Sequence, residues 1–431
     1  LFVADIAYLV PEGAPRTWFS PLTAPEGIIG HNFIRMGYGF DGCSADVVLN
    51  RMTVENGRLV LPDGMSYQTL VVPPVETMTP ELIRKIKQFA DAGAMIVGGK
   101  EPPVKAPGLS DMGAGDREVR ETAAELWASG KILTGKPAQA LLAEQGVAPD
   151  FESSSPLRWI HRRDGETDIY FVANPDAHPL RDVVASFRIE GKQPELWWPD
   201  SGRMESALAF KERDGVTRVN LNFAPNGSVF VIFRKSSVGI DPVVAVKQNS
   251  EVLWALDGSG KGPFGDLNII KATYGVPGDA QRTKDVTSQV RAAVADGYLS
   301  FLVSTMAQGG DPAFGVVKTL QIELSYNGIT RRVSGTDPEM IDLRGADYNY
   351  TAPVAEVFGD ADGAVVVAGE AGTYELQLAS GKTRSVKVGS LPEAKEIAGP
   401  WQVTFDPAKG GPGTVVFPEL NDWSQRPEDG I

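Results

Sequence analysis

Short apolar runs, each closed by turn residues, open the chain: residues 3–10 (VADIAYLV), 70–74 (LVVPP) and 94–99 (AMIVGG). Runs of this length without polar alternation are what buried parallel strands look like. Between the last two, Leu82, Ile83, Ile86, Phe89 and Ala90 recur at helical spacing. Thr79 suits the N-cap, Pro80 the first helical position and Gly93 the stop, so a helix is expected there. A second helix is expected over 116–127, with Val119, Ala123, Leu126 and Trp127 on one face, and a short one over 138–144. Strand, helix, strand with short connections builds a right-handed parallel unit.

After residue 144 the pattern changes to short alternating segments. Residues 159–172 read as a hairpin turning at Asp164-Gly165, and 183–189, 194–198, 216–221 and 228–234 follow at intervals that suit a β-sandwich. Further strands are expected at 268–274, 301–304, 316–326 and 330–334, with a hairpin turn at Asn327-Gly328 and a helical insertion over 285–296. Others are expected at 364–367, 372–378 and 385–388, and a new element begins at 399–405.

The expected fold class is multidomain, α/β plus all-β: a parallel, flavodoxin or class I glutamine amidotransferase-like α/β domain followed by several β-sandwich-like domains. The divisions are 1–136 for the doubly wound α/β domain, 137–236 for a β-sandwich and 237–344 for an inserted β-rich domain. A small β domain at 345–396 and the start of a truncated, jelly-roll-like sandwich at 397–431 complete the chain. Several domains are required, because single cores stop growing near about 250–300 residues and the chain has 431.

Composition narrows the partners. A net charge of −14 repels phosphate backbones, and no basic cluster with interleaved aromatics offsets it, so nucleic acid is not an expected partner. No apolar run reaches the ~20 residues of a membrane span. The single cysteine, Cys43, has no partner for an internal disulfide, and the three histidines, His31, His161 and His178, are too scattered for an expected metal site. The chain opens inside a strand pattern and ends without tail-like composition, so a cut through a longer polypeptide is expected at both ends.

The chemistry-bearing motifs of α/β enzymes do not occur. There is no G-x-S-x-G elbow, no P-loop and no G-x-G-x-x-G after the first strand. Cys43, between Asp41 and Asp46, invites an amidotransferase-like nucleophile, against the plainer reading of a partly buried thiol. The paired Trp197 and Trp198, with Trp159, are candidates for sugar stacking, although neighbours in a strand face opposite ways and at least one of the pair is expected in the core. The Asp360–Gly363 turn resembles a fragment of a calcium loop but has no glutamate at the twelfth position, which favours a plain turn. No catalytic residue and no metal ligand is assigned.

The segments GRLVLPDGMSY (57–67), LVVPP (70–74) and TMTPE (77–81) resemble the α/β domain of glycoside hydrolase family 106. The likeness continues at IHRR (160–163), TDIYFVAN (167–174), PELW (194–197) and GSVFV (227–231), and returns at GPWQV (399–403) and Asp422-Trp423. The resemblance implies the C-terminal part of an exo-acting bacterial α-L-rhamnosidase whose catalytic carboxylates, and any calcium, belong to a preceding (β/α)8 barrel. No cofactor is then expected in this chain. Its partners would be that barrel in the same polypeptide and a rhamnose-containing oligo- or polysaccharide, met outside the cytoplasm. The 38–46 segment, with Tyr38, Asp41 and Asp46, is the expected cleft-facing part, because open α/β sheets present function beyond their strand ends. Two other readings stay open: a stand-alone carbohydrate-binding module and a Cys43-dependent enzyme.

Overall fold

The computed structural model describes residues 1–12, 37–108, 113–257, 267–295, 298–326, 329–343, 355–360, 363–393, 395–423 and 426–431. The Asn327-Gly328 turn, His31 and the middle of the Asp360–Gly363 turn lie outside the described residues. Two compact units are present, Leu1–Val388 and Gly389–Ile431. Most elements are strands in several sheets, with few helices.

In the first unit, five parallel strands pair in the order Phe40–Cys43, Ile6–Leu9, Thr69–Val71, Met95–Val97, Ile132–Leu133. In chain order this is 2-1-3-4-5, an order found in doubly wound sheets. The helix Pro80–Asp91 forms as its spacing predicts. Thr79 caps it by accepting from the Leu82 amide, and Leu82, Ile83, Ile86, Phe89 and Ala90 are its buried stripe. These side chains pack with Leu70, Ile96, Val119, Ala123 and Leu126 in one core, so the helices Pro80–Asp91 and Ala114–Ala128 cover the same face.

Two β-sheets with a shared core follow. One sheet has seven strands, in the order Arg158–Asp164, Thr167–Ala173, Ser228–Ser236, Lys192–Trp197, Met204–Ala207, Ala355–Asp360, Gly363–Ala368. The facing sheet has four: Phe210–Arg213, Val216–Phe223, Leu180–Phe187, Phe151–Ser153. Between them lie Tyr170, Phe187, Phe210, Phe223 and Phe233, each essentially without solvent exposure. The first hairpin differs by one residue from the sequence reading. Asp164 pairs with Thr167, so Gly165 and Glu166 form the loop. Gly165 takes the positive φ of 54° that the first position of a Gly-X loop requires.

The remaining residues of the first unit are interleaved. Val243–Gln248 pairs with both Glu251–Ala255 and Gly372–Leu378, while Asn268–Gly275, Thr319–Tyr326 and Ile329–Thr336 form a sheet with their own core around Tyr274, Val290 and Leu320. Residues 355–388 therefore serve two sheets. The second unit pairs Trp401–Thr404 with Thr414–Phe417. Among the described residues, no helix is long and apolar enough to cross a membrane.

Candidate functional site

Parallel pairing delivers Cys43 to the last position of its strand, directly before Ser44, which caps the helix Ala45–Asn50. The thiol is buried and its Sγ donates to the Tyr8 carbonyl at 3.5 Å. Burial, with the Asp41 charge adding to it, pushes its pKa up to about 12. A nucleophile needs the thiolate, and here that form is suppressed at neutral pH. Folded protein at pH 7.5 is therefore expected to resist iodoacetamide, and to be labelled fully at this one site once urea unfolds it; mass spectrometry reads both.

Tyr38, Asp41 and Asp46 are spread along one edge strand and past both of its ends. Tyr38 precedes the strand, is buried, and donates its hydroxyl to the Val147 carbonyl at 2.8 Å. Asp41 lies within the strand and accepts from the Tyr67 hydroxyl at 3.0 Å. Asp46 is in the first turn of the following helix, exposed, and accepts from Asn50 at 2.8 Å. The structure gives each its own partner and does not gather them into one cluster.

A buried polar assembly lies where the N-terminal edge of the parallel sheet meets the seven- and four-stranded sheets. His161 is 1% exposed, with Nδ1 at 2.9 Å from Asp150 Oδ2 and Nε2 at 3.1 Å from Asp168 Oδ1. Its ring stacks on Tyr170 at 3.9 Å, and Tyr170 donates its hydroxyl to Asp150 at 2.7 Å. Burial alone would lower the imidazole's pKa, but the hydrogen bonds to Asp150 and Asp168 outweigh it and the pKa is raised. Burial would likewise raise the Asp168 carboxyl, yet His161, Lys192 and Arg163 hold it well below the usual carboxylate range. Arg188 extends the network, donating to Asp5 at 2.8 Å and to the Ala148 carbonyl at 2.7 Å. With both ring nitrogens committed to carboxylates, His161 has no lone pair to offer as a base. Through Arg188 and Asp5 this assembly ties the parallel sheet to the two β-sheets.

The two tryptophans have separate surroundings. Trp197 donates to Glu195 at 3.2 Å beneath the Arg234 guanidinium, 5.1 Å from its ring. Trp198 instead packs edge-on against Phe223 and donates its Nε1 to Glu205 Oε1 at 2.9 Å. It borders a cavity of about 190 Å³ where three sheets converge, together with Arg203, Glu205, Asn220, Asn222 and Glu356. None of those five is singled out by the sequence reading. A usable signal was the Asn220-Leu221-Asn222 alternation, which puts two amides on the strand face opposite buried Val219 and Leu221. Among the described residues, no three His, Cys, Asp or Glu side chains are placed to hold a metal ion.

Residues 1–212 match the sequence model of glycoside hydrolase family 106, described as alpha-L-rhamnosidase. The chain is similar to a putative beta-glucuronidase of Formosa agariphila, 30% identical over 363 residues that make up 83% of this chain and 29% of that protein. Among solved structures it is similar to a rhamnosidase from Novosphingobium sp. PP1Y, with 20% identity and a TM-score of 0.48 over 80% of this chain and 34% of that one. A further likeness is to alpha-L-fucosidase isoenzyme 2 from Paenibacillus thiaminolyticus, with 11% identity and a TM-score of 0.32 over 55% of this chain and 49% of that one. The chain thus spans about a third or less of the first two proteins. Residues 1–212 carry the glycoside hydrolase family 106 pattern, and the chain is a glycoside-hydrolase-related protein.

Proposed function

We propose that this chain is a non-catalytic accessory region of a larger bacterial α-L-rhamnosidase that degrades rhamnose-containing glycans outside the cytoplasm. The family match over residues 1–212 supports the glycosidase context. The observation that carries the accessory role is the state of the buried histidine and the thiol in that stretch. His161 is saturated by Asp150 and Asp168, and Cys43 is held as a buried thiol. Glycoside cleavage needs a carboxylic acid and a carboxylate flanking the scissile bond; Asp150 and Asp168 are instead spent on His161, and the Cys43 thiol on the Tyr8 carbonyl. In this reading the reacting carboxylates, and any calcium, belong to a catalytic barrel in the same polypeptide.

The test compares release of nitrophenol from an aryl α-L-rhamnoside by the 431-residue chain and by the longer product of the same reading frame. Turnover by the longer product alone is the expected result. Turnover by the 431-residue chain would overturn the accessory reading.

A further inference from the structure

We propose that the cavity bordered by Trp198, Glu205 and Glu356 binds a single neutral sugar ring through its hydroxyl groups. The inference goes beyond the accessory reading, since it assigns a ligand to this chain itself.

Its walls come from distant parts of the sequence. Leu196, Trp198 and Glu205 belong to the seven-stranded sheet or its connections, and Glu356 and Phe358 to the strand that joins this sheet beside Met204–Ala207. Asn220 and Asn222 come from the facing sheet, and Trp254 from Glu251–Ala255. A volume of about 190 Å³ falls below the ~300 Å³ at which drug-sized pockets begin. The space therefore suits one ring rather than an oligosaccharide.

Glu205 is the decisive group. It is 8% exposed, its Oε1 is fixed by the Trp198 indole at 2.9 Å, and its Oε2 has no hydrogen-bond partner. The nearest cation to Oε2 is Arg203 Nε, at 3.4 Å. A buried carboxylate oxygen left without a donor is costly, so a ligand hydroxyl delivered there is favoured. Arg203 lies between two rings, 5.3 Å from Trp198 and 5.4 Å from Phe358, which fixes the one guanidinium of the cavity wall. Trp198 thereby acts as a wall that orients Glu205.

Charge selects the ligand class. Burial raises the pKa of both Glu205 and Glu356, and Asp182, in the bulge beside them with its amide on Asn222 at 2.9 Å, is raised to about 6. Acceptors outnumber donors at this wall. A second anion there would meet the Asp200, Glu205 and Glu356 carboxylates of the lining against the single guanidinium of Arg203, so a uronic acid or a sugar phosphate is disfavoured. A neutral polyol supplies the missing donors, and its ring oxygens and remaining hydroxyls can accept from Arg203 and from Asn220, whose Nδ2 has no hydrogen-bond partner.

The experiment titrates L-rhamnose, D-galactose and D-glucose into the 431-residue chain by calorimetry and saturation-transfer NMR, with D-glucuronate, D-glucosamine and calcium chloride as comparisons. Saturable binding of at least one neutral sugar is expected, weakened about tenfold or more by Glu205→Gln and also by Glu356→Gln, and unchanged by Trp197→Ala. Circular dichroism confirms that each variant is folded; if Glu205→Gln is not, Glu356→Gln and Asn222→Ala carry the comparison. Absence of neutral-sugar binding, binding indifferent to the folded variants, or preference for glucuronate, glucosamine or calcium would each overturn the proposal. Because no turnover is read, these outcomes are independent of where the rhamnosidase activity resides.

Discussion

His161→Ala lowers the stability of the first unit by on the order of 3–5 kcal/mol, the cost of removing one partner from a buried ionic assembly. The side chain is 1% exposed and holds Asp150 at 2.9 Å and Asp168 at 3.1 Å. Its loss leaves Asp150, also 1% exposed, with the Tyr170 hydroxyl at 2.7 Å and with Arg188 only at 3.7 Å. The stacking surface on Tyr170 is lost as well. A urea midpoint shifted downward with unchanged slope is the expected signature.

The same residue makes stability depend on pH with a definite sign. The folded pKa of His161 lies above its unfolded value of about 6.5. Its contribution is fully present below about pH 6.5 and is lost as pH rises through the folded value, because the folded state holds the proton that the unfolded state has released. Asp168 runs the other way: its folded pKa is depressed, so its contribution is present above about pH 4 and falls away in acid. Urea midpoints at pH 6 and pH 9 should therefore differ more for the native protein than for His161→Ala. Equal differences would mean that the imidazole is not held protonated.

How much of this was legible in the sequence depends on how local the determining interactions are. The helix Pro80–Asp91 is readable because its cap at Thr79, its first-turn proline and its apolar stripe all lie within one segment and agree. The strand Gly372–Leu378 likewise appears where alternation places it, with Tyr374, Leu376 and Leu378 buried. Its partner Val243–Gln248 was not readable, because pairing across so many intervening residues leaves no mark in either segment alone. The hairpin turn slipped by one residue for a small reason: Asp-Gly and Gly-Glu are both acceptable loops at that point, and the pairing of Asp164 with Thr167 chooses the second.

Site residues divide in the same way. Trp198 stands out as an aromatic in a strand, but its meaning depends on Glu205 and Arg203, which the pairing of Lys192–Trp197 with Met204–Ala207 brings beside it, and on Glu356, which arrives only when Met204–Ala207 pairs with Ala355–Asp360. His161 is visible as one of three histidines, yet its two carboxylates arrive from a hairpin partner and from the residue before the strand Phe151–Ser153, and either without the other would allow a different chemistry. Single residues announce themselves; their partners come from topology.

Arg188→Met is expected to cost about 3 kcal/mol, toward the lower end for a broken buried pair because the arginine side chain keeps 24% of its exposure. Methionine retains much of the aliphatic stem, so the loss reports the guanidinium rather than packing. That group donates to Asp5 Oδ1 at 2.8 Å, and Asp5 Oδ2 already has no hydrogen-bond partner. Burial raises the Asp5 pKa while the Arg188 charge and hydrogen bond pull it down, so removing Arg188 leaves only the weaker pull of Arg58 against burial and the Asp150 charge and drives Asp5 toward its neutral form. Asp5→Asn combined with Arg188→Met should then recover part of the loss, since an amide does not need the cation. The combination with His161→Ala should fall short of the sum of the two single losses, because both side chains serve Asp150. Strict additivity in that double-mutant cycle would show that Arg188 and His161 act on Asp150 independently, and would reduce the assembly to separate pairs.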